Sequence, residues 1–409
     1  MKDHYVIVGA GQVAAQTLDS LRRGGHTGQV TIIGDEAEIP YQRPPLSKKF
    51  LAGELAVERL YVKPATFYVH PNTELRLGVR AEQLDISRKT VSLSDGDELL
   101  YERLLLATGT TPRKITVPGN DLAGVHYLRS VADVDRIRAE LPTVEHVVVI
   151  GGGYIGLEVA ATCRQLGKKV TVLEMADRVM NRVVAPEIST FYAEAHAKQG
   201  VHIHTQALVS AIHASTKNPG RVAAVETLGG QSFPADLVVV GIGVLPVTSL
   251  AARAGIACEN GIAVDEYCRT SDRDVFAAGD CANHPSLRYG RRVRLESVDN
   301  AFEQAKTAAA NMLGASQIHD RIPWFWSDQF DLKLLIVGLN FDYDQVILRG
   351  DPASNSFSCC YLRGQELLAL DCINSPKDYM AAKKLIQDRQ HCDLGRLADS
   401  SIGLKDTVL

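Results

Sequence analysis

The chain has 409 residues, 45% of them hydrophobic and 22% charged, with a formal net charge of −4. That length allows two or three domains with full cores, and the near-neutral balance offers no whole-chain field for nucleic acid or an anionic membrane. No apolar run approaches the roughly 18 residues of a membrane span, and "MKDHYVIVGAGQ" enters a strand and a glycine turn rather than a cleavable signal, so a cytoplasmic protein is expected.

Residues 4–8 read as a short apolar strand, 12–23 as a helix, and 30–34, "VTIIG", as a second buried strand ending at Asp35 and Glu36. The turn between the first strand and the helix carries Gly9, Gly11 and Ala14, a G-x-G-x-x-A pattern. This strand–helix–strand unit is what a mononucleotide half-fold requires. "IPYQRPPLSKKF" then breaks periodicity. Consecutive prolines cannot donate ladder bonds, so a fixed-shape loop leading into a helix is predicted. "TVSLSDGDELLYERLLLATG" predicts a strand, an Asp-Gly turn and a buried strand ending at Gly109. "TTPRKITVPGNDL" reads as a crossing linker.

From about His146 a second unit follows: an apolar strand, Gly151, Gly153 and Gly156, a helix, and a strand "VTVLE" ending at Glu174. Alternating strands and turns lead to "ADLVVVGIGVLP". "TSDRDVFAAGDCA" predicts a turn, a short strand and Gly279-Asp280, and a helix runs from about Asn300 to Leu313. The stretch from about Trp324 predicts three strands and one helix, Pro376–Asp388, as a separate domain. The expected fold class is α/β: two Rossmann-like dinucleotide-binding domains plus a C-terminal α+β domain. Residues 1–110 with 241–322, 111–240, and 323–409 are the expected domains.

In such a unit the first glycine makes the strand-to-helix turn. The second lets backbone approach a pyrophosphate, and the third, or an alanine, lets helix pack on strand. The anion sits against unpaired N–H groups and the positive helix end. An acid ending the second strand takes ribose hydroxyls, here Asp35 or Glu36 in one unit and Glu174 in the other. Two complete units predict two different dinucleotides, naturally FAD and a nicotinamide nucleotide, because a flavin can accept a hydride and release electrons singly. Glu174 would repel a 2′-phosphate, which predicts NADH, although Arg178 and Arg182 lie nearby.

None of the eight cysteines forms a C-x-x-C, and none lies in residues 1–162. Neither a metal set, a disulfide framework nor a thiol relay beside the first unit is predicted. His202 and His204 share one strand face without a third ligand and read as solvated. Trp324 and Trp326, the only tryptophans, share a face by alternation.

With "VIVGAGQVAA", "PYQRPPLSK", "LLLATGTTPR", "VVVIGGGYIGLEVAA", "LVVVGIGVLP", "RTSDRDVFAAGDCA", "RLESVDNAFEQA" and "PWFWSDQF" in hand, the chain resembles the two-dinucleotide flavoprotein reductases. It is most similar to the NADH-dependent ferredoxin reductases of bacterial oxygenase systems, the family of the putidaredoxin reductases and the aromatic-ring dioxygenase ferredoxin reductases. The resemblance implies a glutathione-reductase-like fold and an enzyme taking a hydride from NADH onto FAD. Electrons would pass singly to an acidic [2Fe–2S] ferredoxin that feeds a haem-thiolate monooxygenase or a Rieske dioxygenase.

The resemblance also implies residues. Gly9, Gly11, Val13 and Ala14 would surround the FAD pyrophosphate, with Asp35 or Glu36 on the ribose. Arg43 and Lys48 would reach the FAD, Lys48 near the flavin ring. Ala81 and Val298 would offer backbone, Arg129 would help hold the FAD, and Asp280 would bind the ribityl chain at a helix start. Gly151, Gly153, Tyr154, Ile155 and Gly156 would cradle the NADH pyrophosphate, with Glu174 on its ribose. Glu158 would lie on the first helical turn close to the nicotinamide, and Arg182, Gly243, Glu296 and Trp324 would border that pocket. Trp326 would stack beside flavin and nicotinamide. Lys48, Glu158 and Trp326 are thus the expected catalytic residues. Arg288, Arg291, Arg292 and Arg294 are the expected docking patch for the ferredoxin. No nucleic-acid or membrane partner is expected, and the protein would be a monomer or weak dimer. A rubredoxin or quinone reductase, or an NADH-sensing flavoprotein of the apoptosis-inducing-factor type, is the alternative on the same fold.

Overall fold

The computed structural model describes residues 3–409. The chain divides into two compact units. The first holds the residues up to Arg43, Val57–Thr111 and Val244–Pro323; the second holds Pro44–Ala56, Pro112–Gly243 and Trp324–Leu409.

The first unit is built on five parallel strands in the spatial order Val275–Ala277, Arg103–Leu106, Tyr5–Val8, Val30–Gly34 and Thr73–Leu77. Tyr5–Val8 is buried throughout, as a central parallel strand covered on both faces must be. Alternation splits its neighbours between two cores. Ile7, Ile32, Leu105 and Phe276 pack on Leu18 and Leu21 of the helix Gln12–Arg23 and on Ala301, Ala305 and Ala308 of the helix Val298–Met312. Val6, Val8, Leu104 and Leu106 pack on Leu84, Val91 and Leu93 of a three-stranded antiparallel sheet.

The second unit repeats the plan, with parallel strands in the order Val201–His204, Lys169–Leu173, His146–Ile150, Leu237–Val240 and Val125–Tyr127. An antiparallel three-stranded sheet from Val209–Ala214, Val222–Thr227 and Ser232–Pro234 covers one face through Ile212 and Val225. The same unit contains a five-stranded antiparallel sheet ordered Trp324–Gln329, Leu332–Gly338, Glu366–Ile373, Ser356–Arg363 and Gln345–Asp351, and the helix Pro376–Gln387. Five strands stand where three were expected. Tight turns at Phe330 and Gly364, both at positive φ, join neighbouring strands so closely that the sequence reads them as single runs.

Two other expectations are corrected. "PPLSKKF" leads into a 3-10 turn, Pro44–Ser47, and further turns rather than a helix. The rings fix φ at both prolines, and the segment closes in tight i→i+3 turns, the Lys48 N–H donating to Pro45 O at 3.1 Å. After Asp280 comes a strand, Ala282–Ser286, and no helix. Pro285 could not donate within a helix, and the segment pairs instead with Arg291–Val293. Among the described residues no helix is long and apolar enough to cross a membrane.

Candidate functional site

In the first unit Gly9 has φ +113°, and a Cβ on it would lie 2.1 Å from the Ala107 carbonyl oxygen. Its N–H donates to Ile33 O at 2.7 Å, tying turn to sheet. Gly11 is the extended residue before the helix Gln12–Arg23, with no side-chain cap. A Cβ there meets nothing within 4 Å. The first-turn N–H groups therefore open onto free space, which fits a bound pyrophosphate. Val13 and Ala14 are buried, and Val13 packs where a Cβ on Gly279 would come within 2.7 Å. Only their backbone can face an anion.

The alternative acids separate. Glu36 accepts from Arg43 Nη2 at 2.6 Å and from Tyr41 Oη at 2.5 Å, and Arg43 Nη1 also donates to Tyr41 Oη. Asp35 is mostly exposed, 3.7 Å from Arg80. Thr110 Oγ1 donates to Asp280 Oδ2 at 3.4 Å, and Arg294 Nη1 donates to the Asp280 carbonyl. Gln304 Oε1 accepts the Gly279 N–H at 2.7 Å and fixes that turn. Val298 opens the helix behind its Ser297 cap, so its N–H also sits at a helix start. Ala81 begins an antiparallel strand on this unit.

The second unit matches the first. Gly151 has φ +109°, a Cβ on it would lie 2.4 Å from Gly241 O, and its N–H donates to Leu173 O at 2.8 Å. Gly153 precedes the helix Tyr154–Gln165, uncapped, and a Cβ there meets nothing within 4 Å. Gly156 has no such room: a Cβ would strike Gly151 O at 2.0 Å. Ile155 stands exposed at the helix start. Glu174 accepts from the Gly152 N–H at 2.6 Å and the Ala176 N–H at 2.8 Å. Arg178 is spent on Val184 O, Asn181 O and Ser189 Oγ, whereas Arg182 is exposed with Nη2 3.6 Å from where a Gly243 Cβ would stand. The Tyr154 ring turns onto Phe325, 4.8 Å between centroids, and burial pushes its phenol pKa up, so its contribution to a cradle is backbone only.

Lys48 and Glu158, far apart in sequence, meet in the second unit: Lys48 Nζ lies 2.8 Å from Glu158 Oε2. Glu158 is the fifth residue of its helix, on the second turn rather than the first, which places it inside the protein. Ser47 Oγ donates to its Oε2 at 2.5 Å and Ser327 Oγ to its Oε1 at 2.7 Å. Arg129 also belongs to the second unit, its N–H donating to Asp133 at the start of the helix Val131–Glu140, while Glu296, paired with Arg294 at 2.7 Å, belongs to the first.

The sequence profile of the pyridine nucleotide-disulphide oxidoreductases matches residues 3–305, and that of the reductase C-terminal domain matches residues 324–408. The chain is a pyridine nucleotide-disulphide oxidoreductase. It is 43% identical over 402 residues to the 5,5′-dehydrodivanillate O-demethylase ferredoxin reductase subunit of Sphingobium, covering 98% of this chain and 97% of that protein. It is 42% identical over 409 residues to putidaredoxin reductase of Pseudomonas putida, covering 99% and 97%. The solved covalent complex of putidaredoxin reductase with putidaredoxin superposes with a TM-score of 0.95 at 42% identity, covering 99% of this chain and 98% of that one.

All eight cysteines are free and all but Cys258 are buried. Burial pushes the Cys163 thiol up to about 12, away from the thiolate a relay needs. The expected arginine patch is partly spent internally. Arg292 donates to Val264 O and Asn283 O, and Arg294 to Asp280 O and Glu296. A different surface stands out on the oxidoreductase. A groove of about 420 Å³ is lined by Trp324, Trp326, Leu335, Tyr379, Met380 and two lysines, Lys333 and Lys383. The two indoles stack with centroids 5.4 Å apart.

Proposed function

We propose that this oxidoreductase is an NADH-dependent ferredoxin reductase of an oxygenase system. The observation that carries the reading is the pair of glycine cradles, each closed by backbone at its first glycine and open only at its second. Bound FAD supplies hydride acceptance and single-electron release. Everything else is positioning by the chain.

Gly9 and Gly11, with the N–H groups of Val13 and Ala14, hold the FAD pyrophosphate. Glu36, clamped by Arg43 and Tyr41, is better placed than Asp35 for its ribose. Asp280, Val298 and Ala81 complete the FAD contacts. Gly151, Gly153, Tyr154, Ile155 and Gly156 hold the NADH pyrophosphate, Glu174 its ribose. Arg182, Gly243 and Trp324 border the nicotinamide end. Lys48, held by Glu158, presents its ammonium to the reacting end, and Trp326 offers an aromatic face there. The partner is an acidic [2Fe–2S] ferredoxin. The groove of Trp324, Trp326, Met380, Lys333 and Lys383 suits it better than the arginine strip, because its apolar floor and lysine rim are not consumed by internal bonds.

NADH-dependent cytochrome c reduction, measured with and without added [2Fe–2S] ferredoxin, tests this. Strong stimulation by ferredoxin is expected. Equal rates without it, or stimulation by rubredoxin or a quinone instead, would overturn the reading.

A further inference from the structure

The strand Trp324–Gln329 alternates. Trp324 and Trp326 line the groove. Phe325, Ser327 and Gln329 face the other way, and each meets a helix of the same unit. Phe325 packs on Tyr154, Ser327 bonds Glu158, and Gln329 bonds His196 of the helix Pro186–Lys198.

These contacts form one chain with a forced direction. A carboxylate only accepts, so Ser327 Oγ gives its proton to Glu158 Oε1 at 2.7 Å. Ser327 Oγ must then accept, and Gln329 Nε2 donates to it at 3.1 Å. The Gln329 carbonyl therefore faces His196, 2.9 Å away, and His196 carries its proton on Nε2. Ser327, Gln329 and His196 are wholly buried. Burial pushes the His196 pKa down, in keeping with a neutral ring donating one proton.

A buried polar chain in the core of an ordinary sheet–helix contact costs stability compared with apolar packing. It ends here on the carboxylate that holds Lys48. We infer that Ser327 and Gln329 are positioning residues: with His196 behind them, they fix the Glu158 carboxylate so that it holds the Lys48 ammonium in one place for the hydride step. This rests on the reading of Lys48 and Glu158 given above.

The test uses the purified full-length protein with its flavin. Acetylation of Lys48 by limiting acetic anhydride at fixed pH is read by mass spectrometry, and flavin reduction by NADH is followed in stopped flow. Glu158→Gln sets the upper limit of Lys48 labelling. Ser327→Ala is expected to raise labelling about tenfold, the size of one hydrogen bond to a charged group, and to lower the limiting reduction rate by a similar factor with little change in the Kd for NADH. Gln329→Met, of similar volume and acting through Ser327, is expected to give roughly two- to threefold on both readouts. Thermal melting checks that each variant is folded. The inference is overturned if Ser327→Ala labels like the wild type while Glu158→Gln labels faster, or if Glu158→Gln itself leaves Lys48 as slow as before. Variants that only melt earlier, with wild-type labelling, also overturn it. If the wild-type flavin is not reduced by NADH, the functional reading fails, and the labelling order still decides the positioning chain.

Discussion

The two cradles can be laid side by side atom for atom. Gly9 and Gly151 both have φ near +110°, both donate to the end of the second strand, and both face the carbonyl of the residue just after the strand beyond. Gly11 and Gly153 both look into open space. They part at the third position. Ala14 fits fully buried in the first unit, while a methyl at Gly156 would sit 2.0 Å from Gly151 O. The glycine count of a fingerprint thus reports how closely helix and strand approach, and the second glycine alone reports the ligand.

A second contrast lies in the buried titratable groups. Of the four histidines buried in the first unit, His284 and His319 have their rings 4.8 Å apart. Burial pushes their pKa values down to about 3 and about 4. The second unit, besides His196, buries Asp371, whose carboxyl accepts from Tyr361 Oη at 2.5 Å. Burial raises it to about 7. The signs are opposite. The histidines' contribution is complete above pH 6.5 and is lost as pH falls toward 4 and 3, because the unfolded rings protonate first. For Asp371 the unfolded carboxyl ionises first, so stability is lost as pH rises from about 4 to about 7 and stays low above that.

The largest effect expected follows from this. Hydrogen exchange, corrected for intrinsic rates and read separately in the two units, should show Val298–Met312 losing protection between pH 7 and 5 while Ser356–Arg363 gains it. Asp371→Asn should flatten the second trend, which is worth about 2 kcal/mol over that window. Parallel trends in both units would break the contrast.

Next come the open glycines. Gly11→Ala and Gly153→Ala should leave melting of the ligand-free protein unchanged, since each is extended backbone with room for a methyl. Each should weaken one ligand by roughly ten- to a hundredfold, the cost of overpacking by about 1–3 kcal/mol. Absorbance of bound flavin reports the first, and the Kd for NADH in the flavin-loaded protein reports the second. If Gly153→Ala releases flavin, the assignment of ligands to cradles is reversed.

Glu174→Gln should cut the NADH-over-NADPH preference in kcat/KM by about tenfold, by removing the repulsion of a 2′-phosphate. Glu36→Gln in the first unit should leave that ratio untouched. The smallest effect concerns docking. Lys333→Glu and Lys383→Glu should each slow ferredoxin reduction about threefold at low salt and less at 0.5 M. Arg292→Glu should lower the melting temperature instead, because that side chain holds two carbonyls.

Much of this was legible in the sequence. The two strand–glycine–helix–strand units, with Asp35, Glu36 and Glu174 behind them, follow from local period and turn chemistry. Lys48 and Glu158 were each singled out, but their meeting depends on how the proline loop folds onto a helix more than a hundred positions later. A charge run cannot show which of its members also bond within the fold, as Arg292 and Arg294 do. Asp280 was given a helix because a glycine turn looks alike before helix or strand. Ser327, Gln329 and His196 escaped notice. The usable signal was polar residues at the alternate positions of a strand whose other face is tryptophan.

That alternation has a further consequence. The strand Trp324–Gln329 is locked in antiparallel register with Leu332–Gly338, Trp326 opposite Leu335 and Ser327 opposite Leu334. A slip of one residue would exchange its faces. Within the register, Trp324 and Trp326 meet the groove, and Phe325, Ser327 and Gln329 meet Tyr154, Glu158 and His196. Parity therefore sorts substitutions on this strand: changes at Phe325, Ser327 and Gln329 act on Glu158 and its neighbours, and changes at Trp324 and Trp326 act on the groove and on the aromatic face proposed for the reacting end.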